Sequence, residues 1–395
     1  MSTDALHDLL HAHLAQWGLR FFSSDADYFA WQRAMLSVAD LNQLAAQVER
    51  KRRGDQRDET AFYDLTASPR ILPVLYSQRY EYFLEVGRRV LSRIGAANRV
   101  LDFGCGVGIL TTLYARHCPD TQFVGVDRSP RSIAAAQSKA AELGLRNVRF
   151  ECRDVEVEAP DGSYECIIAT HALVQAEQDP GIPSLNWTTF ERAQEEGPQA
   201  AFERRTGIDV RLDRLIGALS PGGRLIIFEK TRQLARRVPF QRALGRRGLL
   251  LIEPPESVRY RLVEEVADDG PFFVVQPGAA HAHAWNEAPE PDEGLPFNQA
   301  MLQSVPHDPH DQTIPLYENH WPSAQQAWEA LADRLVRQEE TRRESDGRQL
   351  HVELGSAEGL VYLYCANTFD QRQLILVEES RSGMLESYYR EILAS

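Results

Sequence analysis

The stretch "VLDFGCGVG" at residues 100–108 constrains this chain more than any other. A short apolar run ends in Asp102. Gly104, Gly106 and Gly108 then alternate with small or apolar residues, and the helix-like "ILTTLYARHC" follows. A strand–loop–helix unit of this kind puts the glycines at the carboxyl end of a strand. Without Cβ atoms, they permit unusual dihedrals and close approach of a ligand.

The pattern continues. "QFVGVD" (122–127), "NVRFECRD" (147–154), "YECIIATH" (164–171) and "GGRLIIFEK" (222–230) read as further apolar strands separated by helices. In "SPRSIAAAQSKAAELGL", Ser129 fits an N-cap, Pro130 the first helical position and Gly144 the C-terminal stop. Strands alternating with helices predict a parallel sheet covered on both faces. "SVRYRLVEEV" and "PFFVVQP", joined by the turn-forming "ADDG", read as a closing hairpin. The connection at 172–207 is long and reads as an insertion over the carboxyl edge of the sheet.

Residues 1–62 show helical spacing, with "YFAWQRAMLSVADLNQLAAQVERKRR" as one helix and 49–59 as an exposed loop. "ILPVLYSQRYEYFLEVGRRVLSRIG" (71–95) reads as another helix. The Trp17, Phe21, Phe22, Tyr28, Phe29 and Trp31 cluster either caps a site or forms a homodimer interface; periodicity does not distinguish the two. Residues 278–320 read as a linker, followed by a helix, antiparallel strands and a final helix. The expected domains are 1–75, 76–277 and 278–395.

Two acids sharpen the glycine loop. Asp127 ends the second strand, where a carboxylate can accept from both ribose hydroxyls, and Asp154 ends the third, within reach of a base edge. Asp102 can accept from an ammonium or orient the loop. For each acid alone, a helix cap or solvated turn is the plainer reading.

These segments, "VLDFGCGVG", "VGVDRSP", "FECRDVE" and "IIATHAL", resemble the class I S-adenosylmethionine-dependent methyltransferases, whose glycine motif has the form [DE]xGxGxG. "FYDLTASP" (62–69) resembles the tyrosine-bearing helix start that precedes the fold in many small-molecule members. The resemblance spans residues 60–277. It implies an α/β fold with a Rossmann-like seven-stranded sheet, to which the spacing read above adds an N-terminal helical region and a small C-terminal α+β domain. It also implies S-adenosyl-L-methionine as cofactor. Gly104 and Gly106 would face its methionyl part, Asp127 its ribose, and Arg128, Asp154 and Val155 its adenine. Thr170 and His171 would sit near the sulfonium. Tyr63, Tyr76 and Tyr80 either close the pocket from the N-terminal helices or are ordinary aromatic packing.

His171 is the first candidate for a general base, because imidazole titrates near neutral pH. Its plainer reading is a pocket-lining residue bonded to backbone. Glu229 and Lys230 are weaker candidates on the same edge.

The chain has no "NPPY"-type tetrapeptide after the fourth strand and no paired-glutamate loop of the protein-arginine type. A formal net charge of −14 argues against a polyanionic partner. The expected acceptor is therefore a small molecule or a peptide, without nucleic acid or membrane partners. The basic stretch 232–247 reads as a solvated helix flank. Five cysteines without a CxxC pair fit a reducing, cytoplasmic setting. Lysine occurs three times against forty arginines, a bias of genome composition rather than chemistry.

His281, His283, His307, His310 and His320, with Asp308 and Asp311, have metal-ligand spacing, but their polar, Pro-rich setting favours a solvated loop and no metal. A dinucleotide-linked oxidoreductase shares the strand unit and ribose acid but prefers GxGxxG. A non-catalytic scaffold built around the C-terminal sheet is the third alternative.

Overall fold

The computed structural model describes residues 3–53, 56–174, 179–278, 283–290, 294, 316–344 and 347–394. They fall into two units. One comprises residues 1–179, 201–232 and 240–285, the other 180–200, 233–239 and 286–395.

The first unit opens with helices α1 (Thr3–Gln16), α2 (Asp25–Met35), α3 (Val38–Arg53), α4 (Gln56–Thr66), α5 (Leu72–Ser77) and α6 (Tyr80–Ile94). Two expected helices are broken. Ser37 ends the first, donating its backbone N–H to Asp40 Oδ2 at 2.8 Å and accepting Asp40 N–H at 3.3 Å, a reciprocal cap that restarts the chain as α3. The second breaks at Gln78 and Arg79. The stretch 49–59 is largely helical rather than a loop, since α3 runs to Arg53 and α4 begins at Gln56.

The sheet contains β1 (Arg99–Phe103), β2 (Gln122–Asp127), β3 (Val148–Cys152), β4 (Tyr164–Thr170), β5 (Leu219–Phe228), β6 (Leu249–Leu251), β7 (Glu256–Arg261) and β8 (Val266–Pro277). Its order is β3-β2-β1-β4-β5-β8-β6; these seven strands lie on one path, and β7 pairs with β8 beside it. The first five are parallel and β8 runs antiparallel to β5. Chain order reverses beside β1, so the loops after β1 and β4 open onto a crevice at the carboxyl edge.

Both faces are covered, which is why β1 and β4 read as nearly unbroken apolar runs. On one face Val100, Cys166, Ile168 and Ile226 pack against Leu10, Leu14, Val86, Val90 and Leu113 of α1, α6 and α7 (Ile109–His117). On the other, Leu101, Ile167, Leu225 and Ile227 meet Leu212 and Leu215 of the helix Ile208–Gly217 and Phe240 and Leu244 from the helix Leu234–Arg246.

The closing hairpin is present, but its turn is at 262–265, not at "ADDG". Glu264 takes the left-handed conformation (φ 76°), and Leu262 N–H donates to Glu265 O at 2.8 Å. The residues Ala267–Gly270 lie inside β8. Val258 pairs with Gly270 and Arg259 with Asp268, so Asp269 is the extra residue of a β-bulge. A bulge re-aims side chains, and this one turns Asp269 toward His171.

The second unit is an antiparallel sheet of order β10-β11-β12-β13-β9, from β9 (Tyr317–His320), β10 (Leu335–Arg343), β11 (Gln349–Ala357), β12 (Leu360–Asn367) and β13 (Arg372–Glu378). β9 lies in the expected linker. Alternation in "LVYLYCAN" fits burial on both faces. Leu360, Tyr362, Tyr364 and Ala366 pack with Ala324 and Ala327 of the helix Trp321–Ala330; Val361 and Leu363 pack with Leu385 and Tyr389 of the helix Ser382–Ala394. Residues 180–200, from the long connection, belong to this unit. Trp187 stacks on His351 at 3.6 Å, and Ser184 N–H donates to Thr368 O at 2.8 Å.

Of the candidate metal ligands, His281, His307, His310, Asp308 and Asp311 lie outside the described residues. Among the described residues no group of three or more metal-ligating side chains converges. None of the described helices is long and apolar enough to cross a membrane.

Candidate functional site

A cleft of the first unit lies at the carboxyl edge of β1, β2 and β4. It encloses about 1120 Å³, including the part open to solvent. That exceeds the lower end of the ~300–1,000 Å³ range of small-molecule sites. Tyr63, Asp102, Gly104, Gly106, Asp127, Arg128, Asp154, Val155, Thr170 and His171 all line it. Gly108 does not.

The three glycines have different reasons for being glycine. All adopt positive φ, 71°, 54° and 81° in order. A Cβ on Gly104 would lie 2.4 Å from Ala172 Cβ, and one on Gly108 would meet Ala136 and Phe150 at 2.9 Å. Those two allow close packing of the protein on itself. A Cβ on Gly106 would meet nothing within 4 Å, so Gly106 is the glycine that faces open cleft.

Asp127 ties the loop to β2. Oδ2 accepts Gly106 N–H at 2.9 Å and Oδ1 accepts Ser129 N–H at 2.8 Å. Burial raises its pKa despite these two bonds. Ser129 caps the following helix, Pro130–Glu142, as its sequence implies, and its hydroxyl donates to Asp64 Oδ1 at 2.7 Å. That bond helps hold α4, with Tyr63 and Glu59, against the cleft. Arg128 pairs with Glu59. Asp154 Oδ1 accepts Glu156 N–H at 2.9 Å, while Val155 is buried in the apolar layer under the cleft.

Asp102 is 3% exposed and accepts the Thr111 hydroxyl at 2.5 Å. Burial, reinforced by the charge of Asp127, pushes its carboxyl up to about 7. A carboxyl shifted upward from an unfolded value near ~4 binds more protons folded than unfolded across that interval, so its contribution to stability falls as pH rises. Asp102→Asn in the ligand-free protein should therefore gain melting temperature relative to the parent from pH 4 to pH 7, then hold the gain at pH 8.5. A difference independent of pH in differential scanning fluorimetry would contradict the shift.

His171 sits just past β4 in the left-handed region (φ 55°), its N–H donating to Phe228 O at 2.7 Å. Its ring packs between Tyr82 and Phe228, centroids 5.1 Å from each. Nδ1 accepts from Arg79 Nη2 at 2.8 Å, which leaves the proton on Nε2, 3.1 Å from Asp269 Oδ2 and oblique to the ring N–H direction. Burial, with Arg79 beside it, lowers the imidazole to about 4. Burial would raise Asp269, but the adjacent His171 ring and the donated Tyr260 hydroxyl hold it well below the ordinary carboxylate range. Both ring nitrogens of His171 thus face protein partners, an arrangement that positions the ring rather than freeing it to take a proton.

Glu229 is 1% exposed and does not line the cleft. Its Oε1 accepts Ala172 N–H and Leu173 N–H, both at 2.7 Å, and burial pushes it up to about 7. It is an internal clasp for the loop after β4. Arg211 grips the same loop from the other side, donating to Ala172 O and Leu173 O at 3.2 and 2.9 Å. Lys230 is exposed. Tyr76 lines the cleft, whereas Tyr80 packs away from it against His11, donor and acceptor 2.8 Å apart.

Arg79, Tyr82, Asp269 and Arg211 were invisible to strand-end reasoning. Arg79 enters through the break between α5 and α6, and Asp269 through the bulge.

Comparison with known proteins agrees with this geometry. Residues 100–185 match the family model described as "Methyltransferase domain". The trans-aconitate 2-methyltransferase of Variovorax paradoxus (strain S110) is 31% identical over 105 residues, covering 26% of this chain and 39% of that protein. The ribosomal RNA large subunit methyltransferase G of Ectopseudomonas mendocina (strain ymp) is 34% identical over 115 residues, 28% of this chain and 30% of that one. The chain thus spans well under half the length of these two relatives. Among solved structures, the N-methyltransferase NodS of Bradyrhizobium japonicum WM9, in complex with S-adenosyl-L-homocysteine, aligns with 50% of this chain and 88% of its own at 16% identity and a TM-score of 0.35. With its glycine loop and acids at successive strand ends, the chain carries a segment, residues 100–185, that matches a methyltransferase domain and is similar to S-adenosylmethionine-dependent methyltransferases.

Proposed function

We propose that this protein transfers the methyl group of S-adenosylmethionine to an oxygen or nitrogen of a small molecule or peptide. The observation that carries the reading is Asp127. It stands half-buried at the cleft, anchored by the Gly106 and Ser129 N–H groups, and flanked by the one loop glycine whose Cβ direction is empty. A ribose diol is the natural hydrogen-bond partner for such a carboxylate. Asp154 and Val155 would border the base, and Asp102 and Gly104 the amino-acid end. The cofactor brings the leaving group and the methyl; the protein brings position and exclusion of water.

The trans-aconitate relatives favour a small-molecule acceptor, and the −14 charge disfavours RNA despite the ribosomal RNA relative. Calorimetry with S-adenosylhomocysteine and with NAD tests the cofactor. Binding of the dinucleotide alone would overturn the reading. Turnover of methyl-labelled cofactor with a metabolite extract tests the activity, and cofactor binding without any transfer would favour a scaffold.

His171 supplies orientation in this reading. Its pKa of about 4 keeps it neutral across the working range. The pH–rate profile should therefore lack an inflection near 6.5 that His171→Gln abolishes. Finding one would restore the ring as general base.

A further inference from the structure

Four arginines line the cleft: Arg79, Arg128, Arg153 and Arg211. Three of them are matched by acids. Arg128 pairs with Glu59, Arg153 with Glu151, Glu158 and Asp161, and Arg211 with Glu156 at 2.5 Å. Arg79 differs. Its guanidinium donates to a neutral imidazole, His171 Nδ1 at 2.8 Å, and lies over the Tyr82 ring at 4.1 Å. Among the described residues no carboxylate comes within 4.0 Å of it. The nearest acid by influence, Asp269, lies on the far side of His171 and already takes the Tyr260 hydroxyl.

A guanidinium removed from bulk water without a counterion is costly, and its planar fork of five N–H donors matches a carboxylate. His171 uses one donor. Arg79 lines the cleft together with Tyr76, Tyr82, Thr170 and His171. This group lies on the β4 and β8 side of the glycine loop, opposite the acids at the ends of β2 and β3. At the β2 and β3 end each cleft arginine is matched by a carboxylate, whereas Arg79 at the other end is not.

We propose that Arg79 receives a carboxylate of the methyl acceptor, so that the acceptor is an organic acid. This deepens the methyltransferase reading and rests on it. His171 and Tyr82 hold the fork from two sides, and the His171–Asp269–Tyr260 chain fixes the ring that holds it.

The same chemistry is present in the amino-acid carboxylate of the methyl donor, so the experiment separates the two sources. A metabolite extract is divided into anionic, neutral and cationic pools, and each is offered with methyl-labelled S-adenosylmethionine to the full chain. Label should enter the anionic pool. Arg79→Gln should reduce that transfer about 10- to 100-fold, the size expected for a charge-assisted hydrogen bond, and Arg79→Lys should restore part of it. Calorimetric affinity for S-adenosylhomocysteine should stay within about twofold, since the proposal puts no cofactor contact on this side chain. Label in the neutral or cationic pool overturns the proposal and leaves the methyltransferase reading intact. So does an Arg79→Gln protein that weakens S-adenosylhomocysteine but not 5′-methylthioadenosine, which lacks the carboxylate. Transfer to the anionic pool that is unchanged in Arg79→Gln also overturns it. Absence of label in every pool counts against the function itself and takes the proposal with it.

Discussion

Asp127→Ala is expected to weaken S-adenosylhomocysteine binding by on the order of 100-fold or more. The change removes the acceptor for two backbone N–H groups at once, Gly106 N–H at 2.9 Å and Ser129 N–H at 2.8 Å. A buried donor left without a partner costs about 1–3 kcal/mol. Here the penalty falls on the loop that faces the ligand, and the ribose loses its carboxylate as well. Asp127→Asn should lose less, because the amide oxygen still accepts one of the two bonds. Isothermal calorimetry on both variants checks this. An alanine variant that bound with parental affinity would remove Asp127 from the cofactor site and with it the main support for the functional reading.

The second large effect concerns a residue outside the cleft. Glu229→Ala should cost about 3–5 kcal/mol in urea unfolding, by leaving backbone donors of the buried loop after β4 without an acceptor. Glu229→Gln should cost under about 1 kcal/mol, because Ala172 and Leu173 both donate to the same oxygen, which the amide retains. The glutamine also removes a carboxyl that burial raises to about 7. Such a carboxyl stabilises the fold less as pH rises from its unfolded value through 7, so the glutamine should gain on the parent over that interval. The alanine variant should also weaken cofactor binding. Ala172 packs where Gly104 would carry a Cβ, so a loosened loop no longer buttresses the glycine turn. Equal destabilisation by both substitutions would contradict the clasp.

The contrast between these two acids shows what a linear reading can reach. The position of Asp127 was legible because it is set locally. It ends an apolar strand, precedes a helix cap at Ser129, and follows the glycine loop at a spacing set by one strand–helix–strand unit. Asp154 and Thr170 were legible for the same reason. Glu229 also ends a strand, and looked like a catalytic candidate. Its actual partners are the backbone N–H groups of residues 172–174, more than fifty positions earlier, and no periodicity encodes which way a strand-end side chain turns. His171 was rightly placed at the edge, but its chemistry depends on Arg79 and Asp269, 92 positions before it and 98 after.

Asp269 is the sharper lesson. "ADDG" has turn composition, and the turn forms instead at 262–265. Gly270 is needed there for another reason: a Cβ would lie 2.7 Å from Arg232 N, so the bulged strand passes close to the chain after β5. Turn-forming residues mark positions where backbone must bend or approach closely, and a bulge uses the same residues as a turn.

By itself, then, the sequence determined the parallel sheet, the glycine loop and the acids at successive strand ends, because each follows from strand and helix periods within about thirty residues. The tertiary structure alone decided which glycine faces the open cleft, which acid clasps an internal loop and which stands at the cleft. It also decided that the one arginine of the cleft unmatched by an acid among the described residues stands beside His171. Those outcomes depend on pairings across long sequence separations, where burial sets both the charge and the available direction of each side chain.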